Sequence, residues 1–273
     1  MGSVGESERG RPSVGILGSG WFTVLVRELR DLWFGTRGPG LVLLFSLLLS
    51  MITYLAATNT ELNLIDQKDT VNLVLQITLG MGVLLSLLFA ADAISGERER
   101  ETLETLLLTP LSRREIAAGK LVAVLTTWPV LMLVSIPYVW ALRVGSSVSI
   151  DAIVAGLLVG TLLAIAFASL GMIVSIFAES NRVSLALGFL VFLVLMAPTQ
   201  LPAGATNGWL GKMLVQINPV NAGSRFLNRI IVSDHSWGQE ANLLIAPVVA
   251  AVVVTALAVI LAGRIRLQGG TGR

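Results

Sequence analysis

The stretch 92–120, DAISGERERETLETLLLTPLSRREIAAGK, holds the densest charge in the chain. Residues 97–108 read as a short helix, with Glu97/Arg100 and Arg100/Glu104 at helical ion-pair spacing. Leu103, Leu106 and Leu107 make a narrow apolar ridge on it. Ser95-Gly96 should break the element before it, and Thr109-Pro110 should end it. Ser112-Arg113-Arg114-Glu115 has capping-box spacing, so a new helix should start there and run through Gly119-Lys120. A charged helix with a leucine ridge, held between two membrane segments, can dock into a groove on a soluble partner and pass that partner's motion into the membrane. Composition alone leaves a second reading open, a solvated loop whose charges only fix topology.

Other chemistry is thinly supplied. A P-loop needs G-x-x-x-x-G-K-[ST] to cradle phosphates. Gly119-Lys120 is followed by Leu121 and Gly211-Lys212 by Met213, and neither has the first glycine or the hydroxyl. Gly18-Ser19-Gly20 lacks the third glycine of a dinucleotide fingerprint, and no strand precedes it. No ATP site is expected on this chain. It has no cysteine and one histidine, which argues against disulfides, thiolate metal sites and zinc chemistry. Asp234-His235-Ser236 is a run of neighbours on a loop and makes no triad. Asp92 and Asp151 stand at span ends on opposite faces, so they form no catalytic acid pair. The expectation is no catalytic residue, no metal and no cofactor of its own. Net charge of +2 argues against a nucleic-acid partner.

The elements that must position this loop are membrane helices. Charged residues make up 13% of the chain and hydrophobic ones 54%, with mean hydropathy +0.81, whereas soluble domains carry about 25% charge. Every Asp, Glu, Lys and Arg lies outside six windows, 38–60, 70–91, 121–142, 152–178, 183–211 and 241–263. About 20 apolar residues cross the hydrocarbon as helix, and one central Asp or Arg would cost about 2.5–3.5 kcal/mol. Six spans follow, at about 41–57, 71–91, 121–142, 152–178, 183–201 and 243–263, within a transmembrane domain of 35–265.

Both termini then share a side. That side carries 14 of the 19 Lys and Arg and the other carries 5, which places the termini in the cytoplasm. Residues 1–20 are Gly-, Ser- and charge-rich and read as a disordered tail without a signal peptide; 266–273 read as a cytoplasmic tail. Over 21–34, Trp21, Phe22, Leu25, Val26, Leu29, Leu32 and Trp33 fill one arc of a helix. Arg27, Glu28, Arg30 and Asp31 fill the other. Directly before a span, with no other soluble segment to pack on, this should be an interfacial helix, the other reading being a packing helix of a small cytosolic lobe.

Within the spans, Pro129, Pro137 and Pro247 should kink their helices. Gly156, Gly160, Ala164 and Ala168 form a small-residue stripe suited to packing within the chain or to a dimer seam. Asn218-Pro219 should start a second surface helix facing outward, carrying Phe226, Leu227, Ile230 and Ile231, with Arg225 and Arg229 elsewhere on its wheel. Asn72, Gln76, Thr78, Thr199 and Gln200 are polar residues in or near the spans, fit for substrate contact or for interhelical hydrogen bonds.

The string Glu97-Arg98-Glu99-Arg100-Glu101-Thr102-Leu103-Glu104-Thr105-Leu106-Leu107-Leu108-Thr109-Pro110, with Gly119-Lys120 leading into the third span, closely resembles the loop of ABC-2 type permeases. These are membrane subunits of ATP-binding-cassette exporters. The resemblance implies an all-α membrane protein of six transmembrane helices, an interfacial helix marked by Trp21, Arg27, Glu28 and Trp33, and a cytoplasmic coupling helix. It implies that Glu97, Arg98, Glu99, Arg100, Glu101, Thr102, Leu103, Glu104, Leu106, Leu107, Thr109 and Pro110 meet an ATPase. It further implies two ATPase copies holding ATP and Mg, a second permease as homodimer or heterodimer, contact with membrane lipid, and residence in the plasma membrane. Spans one, two and five would surround the pathway at the dimer axis. The departures are short outer loops and no fused nucleotide-binding domain. An ATP-independent carrier or channel is the alternative; it predicts intramembrane ionisable residues or a repeated half. An amphiphilic cargo suits spans without buried charge.

Overall fold

Charge exclusion sets the apolar cores of the spanning helices, and charged residues lie at their ends. In the computed structural model, residues 20–58, 67–104, 108–142, 150–200 and 216–264, with Gly208, are described. The tails assigned to 1–20 and 266–273 lie outside them, apart from Gly20. Among the described residues all regular structure is helical. In chain order the helices are α1 (Gly20–Trp33), α2 (Arg37–Thr58), α3 (Gln67–Glu99), α4 (Arg113–Leu125), α5 (Thr127–Leu142), α6 (Ile150–Phe177), α7 (Asn181–Gln200), α8 (Pro219–Ile231) and α9 (Ile245–Ala262). Among the described residues six helical stretches are long and apolar enough to cross a membrane, each over one charge-free window.

The third span is α4 and α5 with a break at Thr126. Pro129 has no N–H to give the Leu125 carbonyl, so the ladder must reset there. Helix α5 runs through Pro137 without ending. In the sixth span a turn, Trp237–Glu240, and a 3-10 segment, Ala241–Leu244, lead into α9, which carries Pro247 in its first turn.

Helix α6 is the central post, with α3, α8 and α9 packed around it. Its stripe is buried inside the chain: Gly156 meets Met132 and Leu75, and the Trp128 ring occupies the space a side chain at Gly160 would need. The stripe is therefore intramolecular packing, the close helix approach that stands in for hydrophobic collapse in lipid. Trp128 Nε1 donates to Thr161 Oγ1 at 3.2 Å, so the indole is fixed at its polar edge too. Helices α2, α7 and α9 leave most of their surface facing outward.

Two expectations are corrected here. Ser95-Gly96 does not break the second span; α3 continues to Glu99. Ser95 Oγ turns back to the Ala91 carbonyl at 2.6 Å, and Ser175 Oγ on α6 accepts from the Ser95 and Ile94 N–H groups at 2.9 Å. Buried against α6, the serine has no solvent to favour a turn. Helix α1, given no neighbour by sequence, packs on α4, with Val24, Ile116 and Leu111 forming a small core. Gly119 lets the two helices touch, since a side chain there would come within 2.6 Å of the Trp21 carbonyl. Trp21, Phe22 and Val26 remain exposed along the outer apolar edge of α1.

Candidate functional site

The loop after α3 is built by a helix end. Thr102 N–H reaches the Glu97 carbonyl at 3.0 Å and Glu101 N–H the Arg98 carbonyl at 3.2 Å, the paired bonds of a Schellman stop. Glu101 occupies the left-handed position, φ 59°, where glycine is usual. The chain then turns helical again at 103–104, and Leu108 N–H bonds the Glu104 carbonyl at 3.0 Å. Leu106 and Leu107 lie outside the described residues. Ser112 caps α4 through the capping box with Glu115 that the sequence indicates.

Because the helix stops at Glu99, the Glu97/Arg100 and Arg100/Glu104 pairs do not form. Each member of the Glu-Arg-Glu run instead ties down a different helix. Glu97 Oε1 pairs with Lys120 Nζ at 3.1 Å, and the same ammonium holds Glu28 of α1 at 2.6 Å. Lys120 is 2% exposed, so its charge depends on those two carboxylates. Arg98 donates to the carbonyls of Ile176 and Ala178 at the C-terminal end of α6. Glu99 accepts from Asn181 N–H at the N-terminus of α7, at 3.1 Å. Cation on a C-terminus and anion on an N-terminus both match the helix dipole.

Asp92 completes the set. Its carboxylate takes Arg37 of α2 at 3.0 Å, Arg100 at 3.8 Å and the Asn181 side-chain amide at 2.7 Å. A cavity of about 280 Å³ opens here, bounded by Asp31, Arg37, Phe89, Asp92 and Lys120 among others. Five helices thus meet the base of one turn: α1 and α4 through Lys120, α2 through Asp92, α6 through Arg98 and α7 through Glu99.

The apolar ridge does not project as a unit. Leu103 is 2% exposed and packs with Ile94, Ala117, Met172 and Ile176. Its position just after the Schellman stop turns it back under the helix ends, so it anchors the turn. The outward residues are Arg100, Glu101, Thr102, Glu104, Leu108 and Pro110, and Leu108 is 86% exposed. Thr109 is half-buried. On α1, Trp33 Nε1 donates to Thr126 Oγ1 at 3.0 Å, at the α4–α5 break. Arg27 pairs with Asp31 on the exposed face.

At the opposite end lies a larger cavity, about 600 Å³, between α3, α7 and α8. Gln76 and Thr199 line it. Thr78 does not; its hydroxyl is buried and bonded to the Val74 carbonyl at 2.8 Å. Asn72 is buried with no hydrogen-bond partner for its Oδ1. The Gln200 side chain lies outside what is described.

The far wall of that cavity is the polar face of α8, which sequence reading did not assign to it. Asn218 caps α8, its Oδ1 accepting from Val220 and Asn221 N–H, and Pro219 follows at the first position. Phe226, Leu227, Ile230 and Ile231 are buried against the bundle, which corrects the expected outward-facing surface helix. Asn221, Ser224, Arg225 and Asn228 face the cavity. The i, i+3, i+4, i+7 spacing of those four polar residues was a usable signal, though it does not say which neighbour they face.

A family model described as ABC-2 family transporter protein matches residues 23–265. No curated protein matches the chain.

Proposed function

The chain belongs to the ABC-2 family of transporter proteins and is a multi-pass membrane permease of an ABC transporter whose ATPase is a partner; from that premise we propose that it is the membrane subunit of an exporter, driven through the turn at 100–110. Its termini and that turn face the cytoplasm of the plasma membrane, in line with the 14 to 5 split of basic residues. Two copies of the ATPase hold ATP and Mg and close on two permease subunits, identical or paired.

The observation that carries this reading is the convergence of five helices on one exposed turn. The surface of Arg100, Glu101, Thr102, Glu104, Leu108 and Pro110 meets the ATPase, and Glu97, Arg98, Glu99 and Leu103 fix that surface to the bundle. The exposed face of α1, with Arg27, Arg30 and Asp31, adds to the contact. A push on the turn reaches α1 and α4 through Lys120, α6 through its C-terminus and α7 through its N-terminus. Rigid ties pass displacement on, whereas a solvated loop would absorb it. The motion changes which side the Gln76–Thr199 cavity faces, and cargo leaves from that cavity on the outer side.

Reconstitution supplies the test. The permease co-purified with its ATPase should hydrolyse ATP, and inside-out vesicles holding the complex should accumulate cargo only with ATP present. Accumulation that continues without nucleotide, or in vesicles lacking the ATPase, would instead make the chain a carrier or channel.

A further inference from the structure

We infer that the 600 Å³ cavity between α3, α7 and α8 takes an amphiphile with an anionic headgroup, whose charge is met by Arg225. The inference rests on the transport reading and specifies the class of cargo. Helix α8 is divided sharply: Phe226 and Leu227 are fully buried against the bundle, while Ser224, Arg225 and Asn228 turn into the cavity. Below that polar wall lie Leu73, Ile77 and Met196, an apolar floor. The volume is that of an ordinary small-molecule site, enough for a headgroup and part of a chain.

Charge decides the headgroup. Two arginines line the cavity, but they are not equivalent. Arg229 Nη1 bonds both oxygens of Glu240, at 2.6 and 2.7 Å, and His235 holds the same carboxylate at 2.8 Å. Its charge is therefore answered within the chain. Arg225 has no ion-pair partner among the described residues. Lys68 and Asp234, also at this end, answer each other. Among the described residues the cavity is left with one uncompensated guanidinium, and Arg225 is exposed, so that charge is open to an anion entering the cavity. Its planar fork suits the oxygens of a phosphate or carboxylate. Gln76 and Thr199 line the same cavity, and the Gln76 amide is a polar group for the rest of such a head.

The test needs no ATPase, so it stands or falls separately from the export reading. The full chain is placed in nanodiscs of phosphatidylcholine alone and binding of radiolabelled dodecyl phosphate is measured by equilibrium dialysis. Saturable binding is expected. Arg225→Gln should weaken it at least tenfold, and Arg225→Lys should stay within about threefold of the parent, which also shows that the site folds. Dodecyltrimethylammonium should not compete, and inorganic phosphate in tenfold excess should not compete either, since it lacks the apolar body. Equal binding by Arg225→Gln, or competition by the cationic surfactant, would overturn the inference. Full competition by inorganic phosphate would overturn its amphiphile half, leaving a plain anion site. Were Arg225 merely resting on bilayer phosphates, a dodecyl phosphate signal would be non-saturable and indifferent to residue 225.

Discussion

Lys120→Met is expected to cost about 3–5 kcal/mol of stability, the loss that follows when one member of a buried charge cluster is removed. Methionine fills nearly the same volume, so the effect is electrostatic and not a cavity. The ammonium is buried, 2.6 Å from Glu28 and 3.1 Å from Glu97, whose side chains are themselves 23% and 12% exposed. Without it two carboxylates face each other across the α1–α3–α4 junction. For a chain of this size the loss corresponds to a fall in Tm of roughly 10 °C. Thermal unfolding of the purified protein in detergent measures it. Adding Glu28→Gln and Glu97→Gln to Lys120→Met should recover most of the difference, because neutral amides no longer repel. An unchanged Tm for Lys120→Met would mean that the cluster does not tie α1 to the bundle.

The second expected result is the reverse, loss of coupling without loss of stability. Glu104→Arg together with Leu108→Asp should leave Tm within about 2 °C, since exposed sites remote from special features shift stability by about 0.5 kcal/mol or less. Both side chains point outward; the Glu104–Leu108 bond that shapes the turn is between backbone groups and is retained. ATP-driven transport by the reconstituted complex should nevertheless fall at least tenfold. Losing one central anchor of a helix-in-groove contact costs about 2 kcal/mol or more, and about 1.4 kcal/mol is already tenfold. Transport at the parent rate would remove the turn from the coupling surface. The contrast between the two variants separates residues that fix the turn from residues that present it.

The six spans could be read from sequence because charge exclusion is a strong, local and cumulative signal in lipid. Ser112-Glu115 and Asn218-Pro219 were legible for a related reason: a cap is complete within four residues and owes little to its surroundings. The end of the second span was not. Ser-Gly favours a turn in water, whereas here Ser95 is buried against α6, with the Ser175 hydroxyl, some 80 positions away, accepting from its N–H. The Glu-Arg-Glu run was found but assigned the wrong neighbours. Helical spacing pairs Glu97 with Arg100, whereas its partner Lys120 is 23 positions on and shares its charge with a residue 92 positions back. Leu103 was misjudged by the same limit, since three leucines at helical spacing mark a face without saying whether it points at a partner or at the bundle. Arg225 was visible as a charge on an amphipathic helix. That it lacks an acidic answer among the described residues emerges only when α3, α7 and α8 are folded around it.

The central claim, that the turn at 100–110 is pushed by an ATPase, can be tested at one atom. The chain has no cysteine, so Leu108→Cys supplies a single thiol at a residue that is 86% exposed. A bifunctional thiol crosslinker applied to the membrane complex should join that thiol to the ATPase, with a yield that changes when the nucleotide is trapped. A membrane-impermeant maleimide should reach the introduced sulfur only from the side that sees ATP. Labelling from the opposite side, or crosslinks that never include the ATPase, would contradict the account.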